Sequence, residues 1–446
     1  MPDLSVPWGH EEFRFSLPEA WQVEQVASPS LRPAPGDWED RLALALSQPV
    51  AGEPLARLLA ARPHGRIVLV VEDLTRQTPL AGVLDVVMRE MRHARIRDEQ
   101  VEIVFATGMH PPVTPEQARE KLGPAVEGIR WRSNPWSDRS AHVSLGHVDK
   151  VPVLVDRAVA SADLRVVISS VSPHLQAGFG GGYKMIFPGC SHLETIRALH
   201  RLGLGRSMRQ LVGLPRSANA MRSAIDAAGE KLDAAGGKTF AVHFLLDEKD
   251  LPTSAAAGDV LPSHRMIRKQ CSVACGIVTP AQADVLITNA HPRDFDLWQC
   301  FKSIPNTLWA ARPNGVIICL ARCEAGMYGM HVPHWPLGPT WTRRLFRMVG
   351  PEAISSLLGR LMPSLAGDAA FFVRLATQTL VRNPVLMVSP ALHASGATFP
   401  GLRILASMDA AVAEAERLLP PGSRRVVVFP AGGTTFPIPP APAGGG

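Results

Sequence analysis

Seven short runs rich in Val, Ile and Leu recur along the chain. They are RIVLVVE (66–72), VEIVFAT (101–107), LRVVIS (164–169), ADVLIT (283–288), GVIICL (315–320), PVLMVS (384–389) and RRVVVF (424–429). Each has the length of a buried strand and is too short for a buried helix. Helix-like stretches such as LAGVLDVVMREMRHA (80–94) and MDAAVAEAERLL (408–419) lie between them. A chain that alternates in this way predicts an α/β fold. We expect two α/β domains with a cofactor and substrate cleft between them. The segment HRMIRKQCSVACGIVTPAQ marks the expected boundary near 265–282. One domain is expected over 1–270 and a second over 275–400. Residues 401–446 hold a last strand and helix that could return to the first domain. Their end, FPIPPAPAGGG, reads as a mobile low-complexity tail. No repeat of fixed period is visible.

The 446 residues suffice for such cores, and 46% hydrophobic against 19% charged residues marks a globular chain. The net charge of +6 is spread thinly. There is no Lys/Arg block, RNP-like motif or zinc-finger spacing, so no nucleic-acid partner is expected. A mild positive balance suits small anionic substrates. The start, MPDLSVPWGHEEF, lacks a basic region followed by an apolar run, and no run reaches bilayer length. Neither a signal peptide nor a membrane partner is expected. The six cysteines include two C-x3-C pairs and no C-x2-C. They read as reduced, buried thiols of a cytoplasmic protein, with a zinc or redox site as the alternative.

Polar residues follow the expected strands repeatedly. Asp73, Thr75 and Arg76 follow the first, and His110 the second. His174 follows the third and His291 the fourth. In open α/β sheets ligands bind beyond the carboxyl ends of strands. Convergence on one crevice is the functional reading, and ordinary polar loops are the bland one.

The densest stretch is HLQAGFGGGYKMIFPGCSHLETIRALH, from His174 to His200. Its glycines, Gly180, Gly181 and Gly182 among them, permit close backbone approach to a ligand. The stretch is neither a P-loop nor a Rossmann fingerprint, because Lys184 is followed by Met185 and the G-x-G-x-x-G spacing fails. A lysine in a partly desolvated pocket can act as nucleophile or covalent anchor; otherwise it is a solvated charge. Ser191 to Glu194 reads as a capping box opening a helix, with Gly203 as its stop. That helix would place His192, Ile196 and His200 on one face, where His200 could bind a metal. Thr114, Pro115 and Gln117 predict the start of another helix, just after His110, a candidate general acid or base. On a helix, Gln299 and Lys302 would share a face and could grip an anion.

Four ordered signatures, DLTRQTP (73–79), ATGMHPP (106–112), the 172–200 stretch and HPRDFDLWQCFKS (291–303), resemble the lactate racemase family. That resemblance implies a nickel-pincer nucleotide, a pyridinium mononucleotide bound covalently through a thioamide to Lys184. It implies nickel held by two sulfurs and a carbon of the cofactor and by His200, a donor set that suits square-planar nickel(II). His110 and His174 map to the acid and base. Arg76 and Lys302 map to substrate-carboxylate positions, with Gln299 a weaker match. Asp73, Thr75 and the three glycines fall among the cofactor-binding positions. The implied activity is a racemase or epimerase that inverts C2 of a 2-hydroxy acid by reversible hydride transfer. Cofactor-biosynthesis proteins are the implied partners.

Three departures stand out. T-R-Q-T-P replaces T-R-P-T-P, Met109 and Pro111 flank His110 where Thr and Arg are frequent, and Trp298 stands where tyrosine is common. They point away from lactate and toward a bulkier or differently substituted acid. A zinc hydrolase, a degenerate binding relative and a racemase that abstracts the Cα proton are the competing readings. His331 and His334 read as loop packing residues, and His192 as structural.

Overall fold

The computed structural model describes residues 3–204, 210–279, 281–327, 335–361 and 369–438. His331 and His334 lie outside them. The chain divides into two compact α/β units. A central unit comprises Leu31–Gly203 and Gly213–Val273, and a terminal unit comprises Met1–Ser30, Leu204–Val212 and Ala274–Gly446.

The central unit is built on a six-stranded sheet. Its order is Pro252–Asp259, Lys238–Leu246, Leu164–Ser170, Ile67–Val71, Val101–Phe105 and Arg130–Ser133. Only the first pair is antiparallel. Every residue of Ile67–Val71 and of Leu164–Ser170 is buried, as parallel strands covered on both faces require. The helix Leu80–His93 packs Val83, Leu84 and Val87 into one core beside Leu69 and Ile103. The helix Ala220–Ala235 packs Met221, Ile225 and Leu232 into another beside Val68 and Val167. From Ile67–Val71 the chain steps outward through Val101–Phe105 to Arg130–Ser133, then returns to Leu164–Ser170 on the opposite side. This reversal makes a topological switch point at the carboxyl ends of Ile67–Val71 and Leu164–Ser170, where ligands bind in open α/β sheets.

The terminal unit holds a second six-stranded sheet, entirely parallel. Its order is Arg403–Leu405, Val385–Val388, Ala311–Leu320, Ala283–Asn289, Arg424–Phe429 and Trp21–Val26. Two expectations are corrected here. Residues 21–26, expected within a 1–270 domain, pair with Arg424–Phe429. That strand in turn pairs with Ala283–Asn289, so residues 401–438 stay with the second sheet and do not return to the first domain. The N-terminal strand escaped notice because it is an edge. Trp21 is buried while its neighbours are mostly exposed or half-buried, so no apolar run announces it. The expected mobile tail also begins as structure: Phe436–Ile438 pairs in parallel with Gly276–Val278.

All six cysteines are buried thiols. Among the described residues no helix is long and apolar enough to cross a membrane.

Candidate active site

The switch point of the central sheet gathers most of the expected residues. Glu72 and Asp73 directly follow Ile67–Val71. Asp73 is a compact organiser. One carboxylate oxygen accepts the Thr75 backbone N–H at 3.0 Å and the Thr75 hydroxyl at 2.6 Å. The other oxygen lies 2.5 Å from Nδ1 of His110. Burial alone would raise this carboxyl, but the hydrogen bond and charge of His110, with Arg76 and Thr75, hold it well below the usual carboxylate range. An ionised carboxylate only accepts, so Nδ1 of His110 carries a hydrogen, and in the neutral form of the ring the lone pair is on Nε2. The His110 side chain is 46% exposed against 8% for Asp73, so the basic nitrogen sits on an open ring anchored from below.

The loop after Asp73 is clamped from two sides. Lys121 Nζ donates to the carbonyls of Arg76 at 2.8 Å and Thr78 at 2.9 Å. Glu72, 3% exposed, accepts the Ser170 N–H at 3.1 Å and the hydroxyls of Ser170 and Thr78. Glu72 thereby joins the ends of the two strands that flank the switch point. Burial raises its pKa against the opposing influence of Thr78, Arg76, Ser170 and Lys121. Arg76 itself is half-buried.

His174 sits in a short strand paired with Gly178–Phe179. Its Nδ1 accepts the backbone N–H groups of Gln176 at 3.2 Å and Ala177 at 3.1 Å. The neutral ring therefore carries its hydrogen on Nε2, opposite to His110. Gln176 extends the link, because its side-chain amide donates to the His200 carbonyl at 3.2 Å. His200 is half-buried on the helix Leu193–Leu204. That helix continues through Gly203, which was expected to stop it. The capping box is corrected too. Ser191 donates its hydroxyl to the Ile186 carbonyl at 2.9 Å, and Nδ1 of His192 takes the Glu194 N–H at 3.3 Å. His192 is buried and edge-on to His142, which supports its structural reading.

Lys184 is half-buried on the short 3-10 turn Gly182–Met185. Gly181, with φ of +70°, turns the chain into it, a conformation L side chains rarely adopt. A backbone relay joins this turn to His110. The Gly108 N–H donates to the Gly189 carbonyl at 2.9 Å, and the Gly189 N–H to the Lys184 carbonyl at 3.2 Å. Only glycine fits at 189, since a Cβ there would stand 2.1 Å from the Met185 carbonyl oxygen. The central unit thus holds two hydrogen-bonded groups of expected residues: Asp73, Thr75 and His110 with the relay to Lys184, and His174 linked through Gln176 to His200.

Two buried hydroxyls at its edge, Thr107 Oγ1 and Ser169 Oγ, lack a hydrogen-bond partner among the described residues. Thr107 adjoins Gly108, and a Cβ on Gly181 would stand 3.2 Å from Ser169 Oγ. Orphaned hydroxyls beside a glycine loop and a half-buried lysine fit a polar, phosphate-bearing group with a covalent anchor. Among the described residues no group of three His, Cys, Asp or Glu side chains is placed to hold a metal by itself. A zinc hydrolase needs three such ligands. A single histidine completing a cofactor's own donors does not.

Trp298, Gln299 and Lys302 lie on the helix Leu297–Thr307 of the terminal unit, which Asp296 caps through the Gln299 N–H at 2.9 Å. The shared face is as expected, with Lys302 Nζ 3.1 Å from Gln299 Oε1. The Trp298 ring packs on Phe372, centroids 4.5 Å apart. His291 belongs to this unit and precedes Pro292; its N–H meets Asn289 Oδ1 at 3.3 Å. Sequence reasoning missed Glu72, Lys121 and Gln176. Glu72 sits beside a quoted motif, but the spacing of Lys121 and Gln176 carries no signal.

Residues 8–211 match the lactate racemase N-terminal domain family. The lactate racemase of Thermoanaerobacterium thermosaccharolyticum is 26% identical over 347 residues, 75% of this chain and 78% of that protein. The lactate racemase of Lactiplantibacillus plantarum is 26% identical over 294 residues, 64% of this chain and 66% of that protein. The solved structure of the T. thermosaccharolyticum lactate racemase apoprotein superposes with a TM-score of 0.80 at 21% identity, covering 98% of this chain and 100% of that one.

Proposed function

We propose that the chain, as a member of the lactate racemase family, inverts the C2 stereocentre of a 2-hydroxy acid with a nickel-pincer nucleotide anchored at Lys184. The observation that carries this reading is the relay from the Asp73–His110 pair through Gly108 and Gly189 to Lys184. It puts a carboxylate-oriented base and a half-buried lysine on one scaffold.

Lys184 would hold the nucleotide covalently, His200 would complete the nickel coordination, and Gly180, Gly181 and Gly182 would admit it closely. When bound, this group supplies the electron sink that accepts the C2 hydrogen. The chain's own residues do the rest. His110 takes the hydroxyl proton at Nε2, and Asp73 stabilises the resulting imidazolium while keeping the ring in register. His174 presents Nε2–H to the substrate oxygen. Acting as base for the opposite stereoisomer, it must surrender its contacts with the Gln176 and Ala177 N–H groups, so the two directions load the histidines unequally. Arg76 is the central unit's candidate carboxylate binder, and Gln299 and Lys302, by the same family resemblance, share a face of the helix Leu297–Thr307 that suits an anion. Met109 beside His110 and Trp298 in place of tyrosine favour a bulkier acid over lactate.

The test is intact mass and metal analysis after co-production with cofactor-building enzymes. The wild type should carry an added nucleotide mass with nickel, and Lys184→Ala neither. Absence of both from the wild type, in a preparation that loads a known racemase, returns the chain to the degenerate or zinc readings. Turnover in deuterated water should leave C2 almost free of deuterium, whereas a Cα-proton mechanism incorporates it. Lactate turning over as fast as every bulkier acid would remove the specificity proposal.

A further inference from the structure

Behind the glycine loop lies a buried polar cluster that the reaction does not use. Arg222, on the helix Ala220–Ala235, is 3% exposed. Its guanidinium donates to three loop carbonyls, Ala177 at 3.2 Å, Gly181 at 3.3 Å and Phe179. Asp226, equally buried, balances the charge at 3.5 Å. Nε2 of His264 donates to the fourth carbonyl, Gly180, at 2.7 Å. Nε2 of His243 accepts the Gly182 N–H at 3.0 Å, and its Nδ1–H meets Ser263 Oγ at 3.1 Å. Ser263 passes the bond on to the Asp259 carbonyl at 2.8 Å.

Each ring thus has a defined tautomer. Burial and the Arg222 charge push His243 down to about 3 and His264 well below the usual histidine range, so both stay neutral. Burying a guanidinium is costly unless its donors are met. Four of its five are, and three of them go to one short loop. The guanidinium spreads its donors over three nitrogens and so reaches three carbonyls that diverge, whereas the donors of an ammonium radiate from a single nitrogen.

We propose that Arg222, His264 and His243 are positioning residues that lock the Ala177–Gly182 loop and so fix how the next turn presents Lys184 for covalent loading. Its functional consequence rests on Lys184 being the anchor. The cluster pulls loop carbonyls back into the protein, which keeps negative oxygens away from an incoming anion.

Hydrogen exchange on the cofactor-free protein tests the lock, and adduct mass after co-production tests its consequence. His264→Leu removes one donor and Arg222→Lys keeps the charge but loses the fork. In either, peptides spanning 177–190 should exchange about 10-fold faster or more, with the sheet strands unchanged. Lys184 loading should fall several-fold. His264→Gln, whose amide can replace the Nε2–H, should restore both. Loop exchange at the wild-type rate in both disruptive variants overturns the lock. A loosened loop with undiminished loading overturns the positioning role. A wild type without adduct sinks the anchor reading, while the exchange data still decide the lock.

Discussion

His110 Nδ1 and Asp73 Oδ2 stand 2.5 Å apart, and the same carboxylate is tied to Thr75 through both its N–H and its hydroxyl. The carboxylate therefore chooses the His110 tautomer. In Asp73→Asn the amide can present N–H to Nδ1, which moves the ring hydrogen to Nε2 and abolishes the base. We expect kcat to fall by about two to four powers of ten, as for other carboxylate-oriented histidines. Nucleotide loading should change far less. A kcat within about threefold of wild type in loaded protein would show that Asp73 does not set the tautomer.

The same carboxylate predicts an acid response. Its folded pKa is depressed. The stability it contributes is complete above the unfolded value of about 3.9 and drains away as the pH falls through the lower folded value. Chemical denaturation of wild type and Asp73→Asn should differ most near neutrality and converge below about pH 4. A gap that widens on acidification contradicts this.

Glu72 predicts the opposite slope, because burial raises its folded pKa. Stability is intact below the unfolded value of about 4.3 and is lost as the pH climbs toward the folded value. Glu72→Gln should flatten that decline. Glu72→Ala should cost about 1–3 kcal/mol, because it strands the buried Ser170 N–H. Identical pH responses of wild type and Glu72→Gln over pH 4–8 would refute the assignment.

Tyr183, next to Lys184, packs its ring against Gly229 and donates to Asp233 at 2.6 Å. A Cβ on residue 229 would stand 2.1 Å from that ring. Gly229→Ala should therefore destabilise by about 1–3 kcal/mol. Thermal melting should register it as a drop of several degrees. An unchanged melting temperature would mean that the ring moves aside freely.

His200 and Lys184 should be separable. His200→Ala is expected to keep the Lys184 adduct by intact mass while losing most of its nickel. Full nickel content in this variant would move the protein ligand elsewhere.

The seven apolar runs sufficed to foretell an α/β fold, because a strand buried on both faces must be hydrophobic throughout. The Thr114–Gln117 box was equally legible, since its hydrogen bonds close within four residues. The Ser191 box was not. The same residue types were present, but the Glu194 N–H that Ser191 would have accepted went to Nδ1 of His192, and the Ser191 hydroxyl donates to the Ile186 carbonyl instead. Gly203 lies inside the last described turn, where a Cβ would stand 2.7 Å from Gln176 Nε2 and 2.8 Å from Met221 Sδ, and a glycine needed for packing looks the same as one needed for a cap.

Local sequence determined seven of the strands and which residue types stand beyond their carboxyl ends, Asp73, His110 and His174 among them. It also carried the lysine and histidine spacing of the 174–200 stretch. Strand order was left to tertiary structure. Trp21–Val26 and Arg424–Phe429 lie about four hundred positions apart in the chain, and no local pattern can announce such a pairing. Tertiary structure also fixed the tautomers of His110 and His174 and buried Arg222 behind the glycine loop. Those depend on which donor or acceptor faces each nitrogen, and that is settled only when distant segments pack and every buried polar group must find a partner.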